Sequence, residues 1–401
     1  MAKSDPISQE QNWGPATKMV HGGGRRSEFG ETSEALYLSS GYTYESADYA
    51  ESLFKGDIDG FIYSRFANPT VAMFEDRMKL LEGAEDGRAT ATGMAAVTAA
   101  FLCRLQAGDH IVSSRALFGS CRYVIETFLP RLGIQSTLVD GKDLDAWEQA
   151  VRPNTKAFFF ETPTNPTLEL VDVQAVCEIA HKAGAYVVVD NVFATPIYQK
   201  PLKDGADVVV YSATKHIDGQ GRCLGGMVLG SEEFVKEHLH QYMRQTGPSI
   251  SPFNAWVMLK GLETLPLRVE KMTSNAAKIA DAVGAHDLVK CVYYPGRADH
   301  PQYELASRQM TGGSNMVAFE INGDKAATFN FLNALKLILI SNNLGDSKSI
   351  ITHPMTTTHH SLKPEARAEL GIRENLVRLS VGLEDSIDLT NDIEQALERL
   401  R

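Results

Sequence analysis

The chain has 401 residues, of which 43% are hydrophobic and 22% charged, with a formal net charge of −11. That length suffices for a large α/β domain and a smaller one, each with its own core, and the composition is that of an ordinary globular protein. The excess of acid excludes a broadly basic, nucleic-acid-binding chain.

Taken in chain order, the first 65 or so residues read as an irregular arm, rich in glycine and tyrosine, with little sustained periodicity. The opening stretch holds Pro6, Trp13-Gly14-Pro15 and Gly22-Gly23-Gly24 and lacks the apolar core of a signal peptide. Arg25-Arg26 is expected as a solvated face. From Thr70 to Leu81 the residues Val71, Phe74, Met78 and Leu81 recur at helical spacing. Short apolar runs at His110–Ser113, Ala157–Glu161, Tyr186–Asp190 and Val208–Tyr211 then alternate with helical patterns at Leu144–Val151 and Val173–Ala183. Strands that are apolar throughout are buried on both faces, as in a mostly parallel sheet covered by helices. Residues 66–250 are therefore expected to form one α/β domain.

A single long helix is expected from Pro252 to Ala285, opened by the proline and weakened near Gly284. Strands at Met316–Ile321 and Val377–Val381, mixed with helices at Lys325–Ala334 and Ile387–Leu400, make residues 251–401 a second, α+β domain. Five cysteines without paired spacing argue against a disulfide framework. No Cys/His grouping has zinc-ligand spacing, and adjacent His359 and His360 rarely converge on one ion, so no metal is expected. No apolar run of about 18 residues would span a membrane. A reduced cytoplasm, with neither membrane nor nucleic acid as partner, is the expected setting.

The segment from Ala185 to Lys215 carries the most chemistry. One apolar strand, Tyr186-Val187-Val188-Val189, ends in Asp190-Asn191; another, Val208-Val209-Val210-Tyr211, runs into Ser212-Ala213-Thr214-Lys215-His216. In open α/β sheets ligands sit beyond the carboxyl ends of the strands. Two such ends bring an acid, two hydroxyls and an amine to one locus. A lysine amine, neutral when buried, condenses with an aldehyde; the hydroxyls suit a phosphate; a buried aspartate keeps a pyridine nitrogen protonated, making the ring an electron sink. These are the demands of pyridoxal 5′-phosphate. Upstream, Ala91-Thr92-Gly93-Met94-Ala95-Ala96 places a glycine turn at a helix start, whose amides and dipole favour an anion.

Tyr63–Thr70 (YSRFANPT), Ala91–Ala96, Glu161–Pro166 (ETPTNP), Val189-Asp190-Asn191, Ser212–His216 and Arg378–Glu384 (RLSVGLE) together resemble the cystathionine γ-synthase-like family of pyridoxal-phosphate enzymes, in family order and across nearly the whole chain. Lys215–Gly226 (KHIDGQGRCLGG) looks most like the family's O-succinylhomoserine sulfhydrylase branch. The resemblance implies the aspartate-aminotransferase-like (type I) fold, with a mainly parallel central sheet and a smaller α+β C-terminal domain. It also implies a homotetramer of active dimers acting on an O-acylhomoserine and sulfide. By the same resemblance Lys215 carries the cofactor and shuttles protons, and Asp190 pairs with the pyridine nitrogen. Gly93, Met94, Ser212 and Thr214 hold the phosphate, completed by Tyr63 and Arg65 of a neighbouring subunit. Asn165 lies near the phenolic oxygen and the substrate, and Arg378 binds the α-carboxylate. Two positions depart from the common family pattern. Phe118 replaces a ring-stacking tyrosine, which keeps the stack and loses the phenol. Asn343 stands where many relatives have serine, and its amide still serves the carboxylate.

Overall fold

The computed structural model describes residues 12–401; Pro6 and the rest of the first 11 residues lie outside the described part. The larger sheet has seven strands: β1 (Asp86–Thr90), β2 (His110–Ser114), β3 (Gln135–Val139), β4 (Thr155–Glu161), β5 (Tyr186–Asp190), β6 (Val208–Tyr211) and β7 (Gly226–Gly230). Their order is β1-β7-β6-β5-β4-β2-β3. A smaller sheet contains β8 (Val289–Tyr293), β9 (Met316–Ile321), β10 (Leu339–Ile340), β11 (Ile350–Thr352) and β12 (Leu376–Ser380), in the order β10-β11-β12-β9-β8.

The chain packs as two compact units. The first comprises the described part of Met1–Arg104 with Val210–Thr214 and Arg222–Thr264. Within it β1 pairs antiparallel with β7, and the helix Pro69–Glu82 buries Met73, Phe74, Met78 and Leu81. Asn68 caps that helix through the amides of Thr70 and Val71, with Pro69 at its first position. The arm is less irregular than its composition suggests. Helices form at Pro15–His21 and Ala47–Lys55, the latter capped by the Ser46 hydroxyl and closed by Gly56 at φ +80°. Segments of 7 and 9 residues are too short for a periodic apolar stripe to stand out.

The second unit comprises Leu105–Val209, Lys215–Gly221 and Leu265–Arg401. Here β2 pairs in parallel with β3 and β4, and β4 with β5. Phe158, Phe159 and Phe160 of β4 and Val187, Val188 and Val189 of β5 are fully buried, as expected of strands covered on both faces. The smaller sheet lies on a core that includes Phe319, Phe331, Val377, Leu379 and Ile393.

The expected single helix over Pro252–Ala285 is two helices, Pro252–Leu262 and Leu265–Gly284. The reason is Pro266, which has no amide hydrogen to give and whose ring would clash with the carbonyl of Leu262 four residues earlier.

Candidate active site

In the second unit the carboxyl ends of β4 and β5 lie side by side, with Glu161 opposite Asp190 in the parallel register. The backbone of the next turn folds over Asp190, and the Val192 amide donates to its Oδ1 at 3.0 Å. Burial raises the Asp190 carboxyl well above the usual carboxylate range; the Val192 amide and the Lys215 ammonium oppose that shift without cancelling it. An acid so placed lacks a full counter-charge and suits a protonated ring nitrogen.

Lys215 follows directly on Ser212-Ala213-Thr214. Its Nζ donates to Asn343 Oδ1 at 2.6 Å. Burial, helped by the Arg378 charge and opposed by Asp190, lowers the lysine to about 8. Arg378, on β12, is 1% exposed. Its Nη1 donates to Asn165 Oδ1 at 3.0 Å, and its Nη2 to the carbonyls of Asn342 and Asn343 at 3.0 and 3.1 Å. Its Nε is buried without an acceptor. Burial lowers this guanidinium to about 10, which leaves it charged at neutral pH. Lys215, Asn343, Arg378 and Asn165 thus form one continuous network. A carboxylate would supply the acceptor that Nε lacks.

Phe118 opens the short helix Gly119–Tyr123, and its amide donates to Glu161 Oε1 at 2.7 Å. Glu161 is fixed further by the Cys121 thiol. Ligand atoms of Cys121, Glu161 and Asp190 all lie within 4.8 Å of one another. Burial first, then the Asp190 charge, raises Glu161 well above the ordinary carboxylate range. Sequence reasoning passed over Glu161 as a site residue. Its signal is that of Asp190: a carboxylate closing a run of buried apolar residues at a strand end. His359 and His360 do not converge. His359 is buried with Nδ1 on the Thr358 hydroxyl, while His360 is exposed and bonds the Thr357 carbonyl.

In the first unit, Thr92 caps the helix Gly93–Leu102 through the Ala95 amide at 3.0 Å. Gly93 presses against Ser212: a Cβ at position 93 would fall 2.6 Å from the Ser212 Cβ and 2.8 Å from its Oγ. The helix start, with Gly93 and Met94, therefore sits on the serine that follows β6, and only glycine allows that approach. The Thr214 hydroxyl pins the Gly225 main chain, accepting from its amide at 3.1 Å. Tyr63 and Arg65 form a cluster of their own. Arg65 Cζ stands 5.3 Å from the Tyr63 ring centre and 4.9 Å from that of Phe66, and Arg65 donates to the Arg244 carbonyl.

A profile of the Cys/Met metabolism PLP-dependent enzymes matches residues 16–398. The chain belongs to that family. An O-succinylhomoserine sulfhydrylase of Mycobacterium tuberculosis is 53% identical over 400 residues, 99% of this chain and 97% of that one. One from Pseudomonas aeruginosa is 47% identical over 384 residues, 96% of this chain and 95% of its own. Among solved structures, an O-acetylhomoserine (thiol)-lyase from Campylobacter jejuni superposes with a TM-score of 0.92 at 33% identity, covering 96% of this chain and 100% of that one. That structure holds a pyridoxyl-lysine phosphate. Pyridoxal phosphate is accordingly the cofactor here, and the fold is that of the family, with its mostly parallel central sheet and smaller C-terminal sheet. Among the described residues no helix is long and apolar enough to cross a membrane.

Proposed function

We propose that this chain is an O-succinylhomoserine sulfhydrylase, converting O-succinylhomoserine and sulfide to homocysteine and succinate in methionine biosynthesis. The observation that carries the reading is its identity, 53% and 47% over nearly the full length, to the two sulfhydrylases named above.

On this reading Lys215 would hold the cofactor through Nζ and, as a free neutral amine, take the proton from Cα and remove and return a proton at Cβ. Its lowered basicity and its bond to Asn343 support that role, because a neutral amine accepts a proton near neutral pH. Bound, the cofactor supplies an electron sink for charge developing at Cα. Asp190 keeps the ring nitrogen protonated, and Glu161 holds the Phe118 backbone. Phe118 stacks on the ring, and Gly93, Met94, Ser212 and Thr214 hold the phosphate. Arg378, oriented by Asn165 and by the backbone at Asn343, takes the α-carboxylate. The ester Cγ–O bond breaks with its electron pair on succinate, and sulfide forms the Cγ–S bond.

Tyr63 and Arg65 complete the phosphate site of a neighbouring subunit in a cytoplasmic homotetramer built from active dimers. Residues 1–65 then act as an arm, 66–250 as the cofactor-binding domain and 251–401 as the C-terminal domain. The self-contained five-stranded sheet supports the last of these.

Sulfide needs no pocket of its own, whereas cysteine brings an amine and a carboxylate that need partners to offset their desolvation. The test is a competition with O-succinylhomoserine as donor and equal sulfide and cysteine in one vessel, with products quantified by mass. Homocysteine is expected to predominate, with little ketobutyrate. Predominance of cystathionine would make the chain a cystathionine γ-synthase.

A further inference from the structure

Arg244 lies in the last turn of the helix His240–Thr246, beside the arm residues of the first unit. Its Cζ stands 4.0 Å from the Phe66 ring centre, and its carbonyl accepts from Arg65. Two guanidinium groups therefore pack against one aromatic cluster. Neither has a carboxylate within ion-pair distance among the described residues, although the chain as a whole is strongly acidic. Arg244 Nε is buried and without an acceptor. A buried donor left in that state costs about 1–3 kcal/mol, so an acceptor is the missing part of the arrangement. A guanidinium held over a ring does not spend its N–H groups on the ring itself, and two of them together form the fork that fits a carboxylate. The following loop is anchored in the same unit: the Pro248 carbonyl accepts the Ala91 amide at 2.8 Å, and Ser249 bridges to Thr90, just ahead of the Thr92-Gly93 turn.

We propose that Arg244 is a specificity determinant that binds the distal carboxylate of a dicarboxylic acyl group on the donor. The inference rests on the sulfhydrylase reading and on the arm completing a partner's site. A succinyl donor carries two carboxylates. Arg378 accounts for the one on Cα, and the other needs a second cation not already neutralised by protein acids. An acetyl donor lacks this group. Arg65, committed to the cofactor phosphate on the same reading, leaves Arg244 as the uncommitted fork of the pair.

The experiment uses cofactor-loaded wild type, Arg244→Gln and Arg244→Lys, with sulfide and either O-succinylhomoserine or O-acetylhomoserine. Cofactor content and thermal melting are measured alongside. In Arg244→Gln, kcat/KM for the succinyl donor should fall about tenfold to a hundredfold, chiefly through KM, the range of a hydrogen bond to a charged group. The acetyl donor should change by less than about twofold on that account, and Arg244→Lys, which keeps charge without the fork, should lie between. Equal losses with both donors, or loss of bound cofactor, would assign the arginine to the phosphate or to the fold and overturn the proposal. So would an unchanged ratio. If wild type turns over neither donor with sulfide, the sulfhydrylase reading fails by itself. Calorimetric titration of the same proteins with the two donors then decides the inference, which stands only if a preference for the succinyl ester vanishes in Arg244→Gln.

Discussion

Lys215 should load its cofactor with the pH dependence of an amine far less basic than a free lysine. Burial and the neighbouring Arg378 bring it from 10.5 to about 8, against the pull of Asp190. At pH 7.5 the neutral fraction is then about 0.24, compared with about 0.001 for an unperturbed lysine, a gain of about 240-fold in reactive amine. The assay follows the absorbance of cofactor added to apoenzyme between pH 6.5 and 10, with a free lysine derivative run in parallel. Dividing the two rates cancels the titrations of the cofactor itself. Below pH 8 both amines gain neutral form equally, so the ratio should be flat. Above it the enzyme amine is already neutral while the free amine still gains, so the ratio should fall about tenfold per pH unit towards 10.5. Replacing Arg378 by glutamine removes a repelling positive charge and should move the break to higher pH. A ratio that stays level to pH 10 would refute the argument, because it would mean that neither burial nor Arg378 acts on this amine.

Three further outcomes follow from the same geometry. Asp190→Asn should retain some bound cofactor while turnover drops about a hundredfold to a few thousandfold, the cost of about 3–5 kcal/mol for removing one member of a buried charge pair; near-normal turnover would show that the pairing is wrong. Gly93→Ala places a Cβ 2.6 Å from that of Ser212 and should weaken cofactor affinity by at least about tenfold, measured by equilibrium dialysis, because the helix start must move off the serine. Mixing inactive Arg65→Ala with inactive Lys215→Ala protein should restore activity in hybrids that hold one site with both native residues; none, despite demonstrated subunit exchange, would favour an arm folded onto its own chain.

The parts of the fold that sequence revealed are those where burial is uniform. β5 and β6 read directly as Tyr-Val-Val-Val-Asp and Val-Val-Val-Tyr, because an interior strand of a covered sheet is apolar at every position. The edges of the same sheet did not stand out. β1, Asp-Gly-Arg-Ala-Thr, and β3, Gln-Ser-Thr-Leu-Val, end the strand order on either side, where polar residues are both tolerated and useful against unwanted pairing. β7, Gly-Met-Val-Leu-Gly, is bracketed by glycines that read as a loop. The Gly226 position is nevertheless compelled, since a Cβ there would lie 2.3 Å from the Thr92 carbonyl oxygen. Local pattern cannot report a contact made with a residue more than a hundred positions away.

The candidate site divides along the same line. Lys215 and Asp190 are legible because each closes an apolar strand with a group whose chemistry is distinctive, and Glu161 carries the same mark once its register opposite Asp190 is known. Arg378 is different: taken alone it is an arginine in a strand, and only its burial, with two nitrogens engaged by Asn165 and the Asn342-Asn343 backbone and the third left open, makes it a carboxylate receptor. Asn343 likewise changes meaning in three dimensions. Where serine would offer one hydroxyl, the amide oxygen reaches Lys215 while the backbone carbonyl of the same residue accepts from Arg378. One residue thus couples the group proposed to move protons to the group proposed to hold the substrate. If that coupling matters, Asn343→Ser should lower kcat more than it raises KM, because the carboxylate keeps the backbone-oriented Arg378 while the lysine loses the acceptor that holds its amine in place. A change confined to KM would instead make Asn343 a binding residue alone.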